Sequence, residues 1–190
     1  VVHLASAAGT GDVKMSTSSS GSITIHNFQV GAAGDDVAIS PLGINTGFST
    51  DVVNLDTSDA DKLTAADAIS FETVTGVTDL ASVTADTNVL VLNGDIASTT
   101  ALQEALEVGG SFALTAPGDG GGTNDFVAGD AIMVLYDNGV DSFLAVVESG
   151  ATVDNTTFAD GDLTATNVIT FVGITDCTTI VEGNFLAVTA

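Results

Sequence analysis

Five groups of acidic residues carry most of the chemistry this sequence has to offer. They are Asp35 with Asp36; Asp56, Asp59 and Asp61; Asp119 with Asn124, Asp125 and Asp130; Asp137, Asn138 and Asp141; and Asp160 with Asp162. Each sits among Gly, Asn, Ser or Thr, residues that let a chain turn tightly and bring side-chain and backbone oxygens together. A calcium ion takes about six to eight such oxygens and tolerates irregular loops, so these groups are the expected Ca²⁺ ligands. In "GAAGDDV" the small residues allow that convergence, whereas without a cation Asp35 and Asp36 repel each other. None of the groups has the twelve-residue spacing of an EF-hand. The competing reading is a generally acidic surface whose carboxylates do no more than solvate it.

The rest of the composition sharpens this choice. The 190 residues include 25 acids against Lys14 and Lys62, for a net charge of −23. Twenty of the acids are the short, turn-compatible Asp. Binding to nucleic acid is excluded, because phosphate contacts need cations that displace counterions. An anionic membrane surface is disfavoured on the same ground. The apolar fraction of 45% and the mean hydropathy of +0.44 predict a folded chain with a core, not an acidic tail. No apolar run is long enough to span a bilayer, and no membrane insertion is expected. The opening "VVHLASAAGTGD" has no basic segment and reads as an internal or processed start. Cys177 is the only cysteine, so no disulfide within the chain is available; lying between the apolar residues of "GITDCTTIV", it is expected to be a small buried filler.

Catalytic patterns are missing. His3 and His26 are the only imidazoles, and neither belongs to a metalloprotease helix motif. "TSSSG" at 17–21 is no nucleophile elbow, and the glycine-rich "GDGGGTND" lacks the lysine of a phosphate loop. His26 is expected to be a satisfied or surface histidine. The reading is therefore not an enzyme.

Short β-branched and aromatic runs dominate the elements that would position the acids. "SITIHNFQV" alternates and then shifts phase near Phe28, while "NVLVLNG", "DAIMVLYDNG", "SFLAVVESG", "NVITFVGIT" and "NFLAVTA" are bounded by Gly, Asn and Asp. Asn138-Gly139 between two such runs predicts a hairpin. "STTALQEALEVGG" predicts one helix, with Ser98 to Thr100 as capping candidates and Gly109 as a stop. "DKLTAADAI" and "DLTATNVI" each read weakly as one helical turn before a strand.

The sequence also repeats itself. Leu63 to Phe71 aligns with Leu163 to Phe171, and Gly76-Val77-Thr78-Asp79 with Gly173-Ile174-Thr175-Asp176. Upstream, "NFQVGAAGDDVAIS" aligns with "DFVAGDAIMVLY", which pairs Asp35 with Asp130. The expected architecture is mainly β: a β-sandwich or β-roll built from two related halves, 1–97 and 98–190. The short helix near 98–109 marks the junction, and the halves are expected to share one core.

"GGGTNDFVA" at 120–128 resembles the Gly- and Asp-rich nonapeptide of RTX calcium-binding repeats, with Thr123 where a glycine belongs. Around it, "ITIHNFQVGAAGDDVAIS" and "GDAIMVLYDNGVDSFLAVVES", followed by "DLTATNVITFVGITD" and "NFLAV", are similar to the C-terminal modules of bacterial RTX-type and S-layer-like type I secreted surface proteins. The resemblance covers some 130 residues and includes no nonapeptide array. It implies a secreted structural module of the bacterial surface layer or extracellular matrix, stabilised by calcium, that assembles with copies of itself into a lattice or filament. In such proteins "IVEGNFLAVTA" would lie near an uncleaved secretion signal. The alternative within the same resemblance is the non-catalytic C-terminal module of a large enzyme, toxin or adhesin.

Overall fold

A computed structural model describes residues 1–4, 12–14, 22–31, 34–39, 51–55, 60–62, 69–84, 86–117 and 126–187. Among the described residues the structure is mainly β, with 45% in strands and one α-helix.

The sheet is built outward from its most apolar segment. In β11 (Asp130–Asp137) every residue is buried, so both faces of this strand must be covered. It forms a hairpin with β12 (Ser142–Ser149), and β12 pairs antiparallel with β13 (Leu163–Val172). Beyond β13 lie β3 (Ile23–His26) and then β1 (Val2–His3), each joined in parallel. On its other side, β11 pairs first with β5 (Asp51–Leu55), which carries β6 (Ala60–Lys62), and then with β9 (Val89–Asp95), which carries β7 (Phe71–Val74). These nine strands form one mixed, largely parallel sheet, and strands from 1–97 and 98–190 intermingle in it.

Alternation along the central strands sorts their side chains into two cores. Ala131, Met133 and Leu135 face a cluster with Val89, Val91, Leu144, Val146, Ile169 and Phe171. A small parallel sheet of β2 (Asp12–Lys14), β4 (Asp36–Ile39) and β14 (Phe185–Ala187) contributes Val13, Val37, Ile39 and Phe185 to the same cluster. Ile132, Val134 and Tyr136 point the other way, towards α1 (Thr99–Leu106), whose Leu102 and Leu106 are fully buried there. β8 (Thr78–Asp79) and β10 (Leu114–Thr115) form a short separate pair.

Ser98 caps α1 as expected, its hydroxyl accepting from Ala101 N. The helix is anchored to β13 twice at one residue: Gln103 Nε2 donates to the Leu163 carbonyl, and Leu163 N donates to Glu107 Oε1. The Asn138-Gly139 hairpin is present, with 138–141 as its connection. The phase shift near Phe28 has a backbone cause, because Asn27 adopts a left-handed conformation (φ 61°) and turns Phe28 into the core.

One expectation needs correcting. "DLTATNVI" is strand from Leu163 onward and contains no helical turn; the ladder with β12 and the anchor from α1 override weak helix propensity. The mainly β expectation is met, by a mixed, largely parallel sheet that is not clearly a sandwich or a roll. Continuous apolar runs such as β11 produce a sheet covered on both faces, where alternating strands would give two sheets each with one wet face. The helical turn expected in "DKLTAADAI" lies largely outside the described residues. Among the described residues, no helix is long and apolar enough to cross a membrane.

Candidate functional site

Three of the described acidic turns are built to one plan. Immediately before β11, Val127 N donates to Asp130 Oδ2 at 2.7 Å while Asp130 N donates back to the Val127 carbonyl at 3.0 Å. The turn before β13 repeats it: Ala159 N reaches Asp162 Oδ2 at 2.7 Å, and Asp162 N reaches the Ala159 carbonyl at 3.1 Å. A wider version precedes β4, where Gln29 N donates to Asp35 Oδ2 at 2.8 Å and Asp35 N to the Gln29 carbonyl at 2.9 Å. In each case the aspartate follows a glycine and opens a strand or immediately precedes one. Gly129 (φ 98°) and Gly161 (φ 86°) supply left-handed backbone that other residues rarely adopt. Gly34 is needed for a different reason, since a Cβ there would lie 2.0 Å from the Gln29 carbonyl oxygen.

These carboxylates therefore work first as acceptors for turn amides. Such charge-assisted bonds are stronger than neutral ones and fix the entry of the chain into the sheet. Asp35 is 1% exposed and Asp130 8%, so neither acts as a solvating surface charge. Asp35 and Asp36 are also separated by their neighbourhoods: Asp35 turns into its loop, while Asp36 begins β4 half-buried.

The hairpin group is brought together, again around amides. Asp137, 4% exposed, accepts from Gly139 N and from Cys177 N. Asn138 Oδ1 accepts from Val140 N and Asp141 N, and Asp141 Oδ1 accepts from Gly173 N at 2.7 Å. Asp160 is exposed beside Asp162. The Asp61 backbone lies in β6, and Asp56, Asp59, Asp119, Asn124 and Asp125 fall outside the described residues, as does Thr123 of the RTX-like stretch. Among the described residues, no three His, Cys, Asp or Glu side chains gather as a group that could hold a metal ion.

Cys177 is the buried filler expected of it. Its thiol donates to the Leu92 carbonyl, and burial, reinforced by the neighbouring Asp137 and Asp176, pushes its pKa well above the ordinary value. A thiol held protonated is a poor nucleophile. Burial likewise raises the pKa of Tyr136, partly offset by its hydrogen bond to Asn167.

The aligned Gly-x-Thr-Asp segments adopt the same local structure. Asp79 caps the 3₁₀ turn Leu80–Ser82 by accepting from Ala81 N, and Asp176 caps Cys177–Thr179 by accepting from Thr178 N, both at 3.0 Å. The Ser82 and Thr179 hydroxyls then bond back to the Asp79 and Asp176 carbonyls, both at 2.7 Å.

Two features escaped the sequence reading. Asn184, fully buried, reaches across the chain to the Asp35 loop: its Oδ1 accepts from Gly31 N and Val181 N, and its Nδ2 donates to the Gly31 and Asp35 carbonyls. Its place in "GNFLAV" before a strand was visible, but its partners on the Asp35 loop lie some 150 residues away. The second is His3 with His26, which are register partners on β1 and β3 with their rings stacked 4.5 Å apart.

Comparison with protein-family models, with curated proteins and with solved structures finds no match.

Proposed function

We propose that this chain is a non-enzymatic structural module of a secreted bacterial surface-layer or extracellular-matrix protein, exported by a type I route, that assembles with copies of itself and is stabilised by calcium. The observation that carries the reading is the use made of its buried acids. Asp35, Asp130, Asp137 and Glu107 each accept a backbone amide at the start or end of a strand, so the acidic chemistry is spent on holding strand connections. That is the economy of a scaffold. The recurring Gly-x-Thr-Asp turns support the reading of two related β units.

Calcium enters through the charge. At −23, self-repulsion strains a compact chain, and divalent ions at the acidic loops relieve it. Binding restricted to the folded state at about a hundredfold excess over Kd adds roughly 2.7 kcal/mol, or about 5–10 °C in Tm for a chain of this size. Assembly would use sheet edges, which present unpaired backbone groups to a neighbouring copy. Among the described residues β1 ends the strand order on one side, and its pairing with β3 within the chain makes its outer edge the surface offered.

Electron microscopy and thermal melting, in calcium and then in chelator at matched ionic strength, test the proposal. Ordered assemblies and the higher Tm are expected only with calcium. Equal assembly and equal melting in chelator would remove calcium from the account. Normal assembly of a chain lacking Val1–Ala8 would remove the β1 edge.

A further inference from the structure

We propose that His3 and His26 form a two-imidazole site for a borderline divalent transition ion, of the zinc, nickel or copper class, bridging β1 and β3. Their placement carries the argument. The chain has only two histidines, and the fold sets them side by side. Residues paired across neighbouring strands project from the same face of the sheet, so His3 and His26 share a face by construction. Their rings lie 4.5 Å apart between centroids with only 19° between planes, His3 exposed and His26 half-buried. Leu4 N donates to the His26 carbonyl, and Asn27 Nδ2 to the Leu4 carbonyl, so the strand carrying His3 is held in register beyond the pair itself.

Imidazole nitrogen suits zinc, nickel and copper, whereas calcium takes oxygen. With metal–nitrogen bonds of about 2.0–2.1 Å, two ring nitrogens on one ion stand roughly 3 Å apart. Stacked rings reach that separation by tilting their nitrogen-bearing edges together, a side-chain rotation that an exposed ring can make. Water completes the coordination. The acidic surface raises the local concentration of any divalent cation. The one thiol offers no competing soft ligand, being buried and bonded to the Leu92 carbonyl. A bound ion would tie residue 3 to residue 26 and fasten β1 onto the sheet, a role separate from that of calcium at the acidic loops.

The test is a titration of the 190-residue chain with zinc chloride in millimolar calcium chloride, which occupies carboxylate sites first. Proton NMR follows the imidazole signals, of which there are two sets, one per histidine. Both are expected to shift together and to saturate near one equivalent. Calorimetry of His3→Gln and of His26→Gln is expected to show at least tenfold weaker zinc binding with unchanged circular dichroism. Zinc isotherms in both variants that overlay the parent's would overturn the proposal, because carboxylates would then account for the binding. So would imidazole signals in the parent chain that respond at well-separated zinc concentrations; that measurement decides the matter even if a variant folds poorly. Calcium dependence of assembly can fail without touching this result.

Discussion

The loop closed by Asp35 and the turn closed by Asp162 make the same pair of bonds with nearly the same lengths, yet they sit in opposite surroundings. Asp35 is buried, and the loop it closes is gripped from within by Asn184. Asp162 is half-exposed, in a turn beside the exposed Asp160. Hydrogen bonds of equal geometry are not of equal worth. Where water can replace a lost partner the cost is small; where it cannot, the abandoned group bears its full desolvation penalty. Burial, more than acidity, decides which aspartates hold this fold.

The comparison breaks most decisively at Asn184. Replacing it with Ala removes the side-chain partners of Gly31 N, Val181 N and two carbonyls, of which the Asp35 carbonyl bond is fully buried and the others partly so, and we expect a loss of about 3 kcal/mol in urea unfolding. At this chain length that corresponds to a Tm roughly 10 °C lower. A change under 1 kcal/mol would mean that the loop's grip is decorative. Asp35→Ala comes next, at about 2–3 kcal/mol, because a charged acceptor leaves the Gln29 amide behind. Asp35→Asn keeps an acceptor oxygen and should recover part of that. Equal effects of Asp35→Ala and Asp162→Ala would overturn the burial argument. Gly129→Ala should cost about 1–2 kcal/mol by forcing an L-residue into left-handed backbone at the mouth of β11.

How far the sequence foretold these regions follows from how local their causes are. The strands at 89–95, 130–137 and 142–149, the Ser98 cap and the hairpin at Asn138-Gly139 were all legible, since each rests on neighbours a few residues away. The likeness of the two Gly-x-Thr-Asp segments was legible too, at Asp79 and Asp176, whose roles are set by the residues that follow them. The work done by the acids was not. A Gly-Asp pair announces a turn, and the amide partners of Asp130 and Asp162 lie only three residues back, so an Asx-type lock was within reach of local reasoning. Gly94-Asp95 shows why the dipeptide alone misleads: it ends β9, with no apolar strand after it. Sheet order, the Asn184 clasp and the meeting of His3 with His26 depend on contacts far apart in the chain, for which hydrophobic periodicity carries no information.

The smallest expected effect is the most discriminating. Asp162→Ala removes the acceptor for Ala159 N at a place where water reaches the turn, so the loss should be about 0.5–1 kcal/mol. Part of the turn survives, because Asp162 N still donates to the Ala159 carbonyl and Gly150 N to the Asp162 carbonyl, neither of which needs the side chain. Hydrogen exchange should locate the change: faster exchange at Ala159, with Gly150 and Leu163 unaltered, since Leu163 N is held separately by the buried Glu107. If exchange instead quickened along the whole β12–β13 ladder, the exposed carboxylate would be setting the register of the sheet, and the contrast with Asp35 would collapse. Confinement of the effect to the turn would mean that each lock serves only the connection it closes, while the ladder and the two cores keep the strands in place.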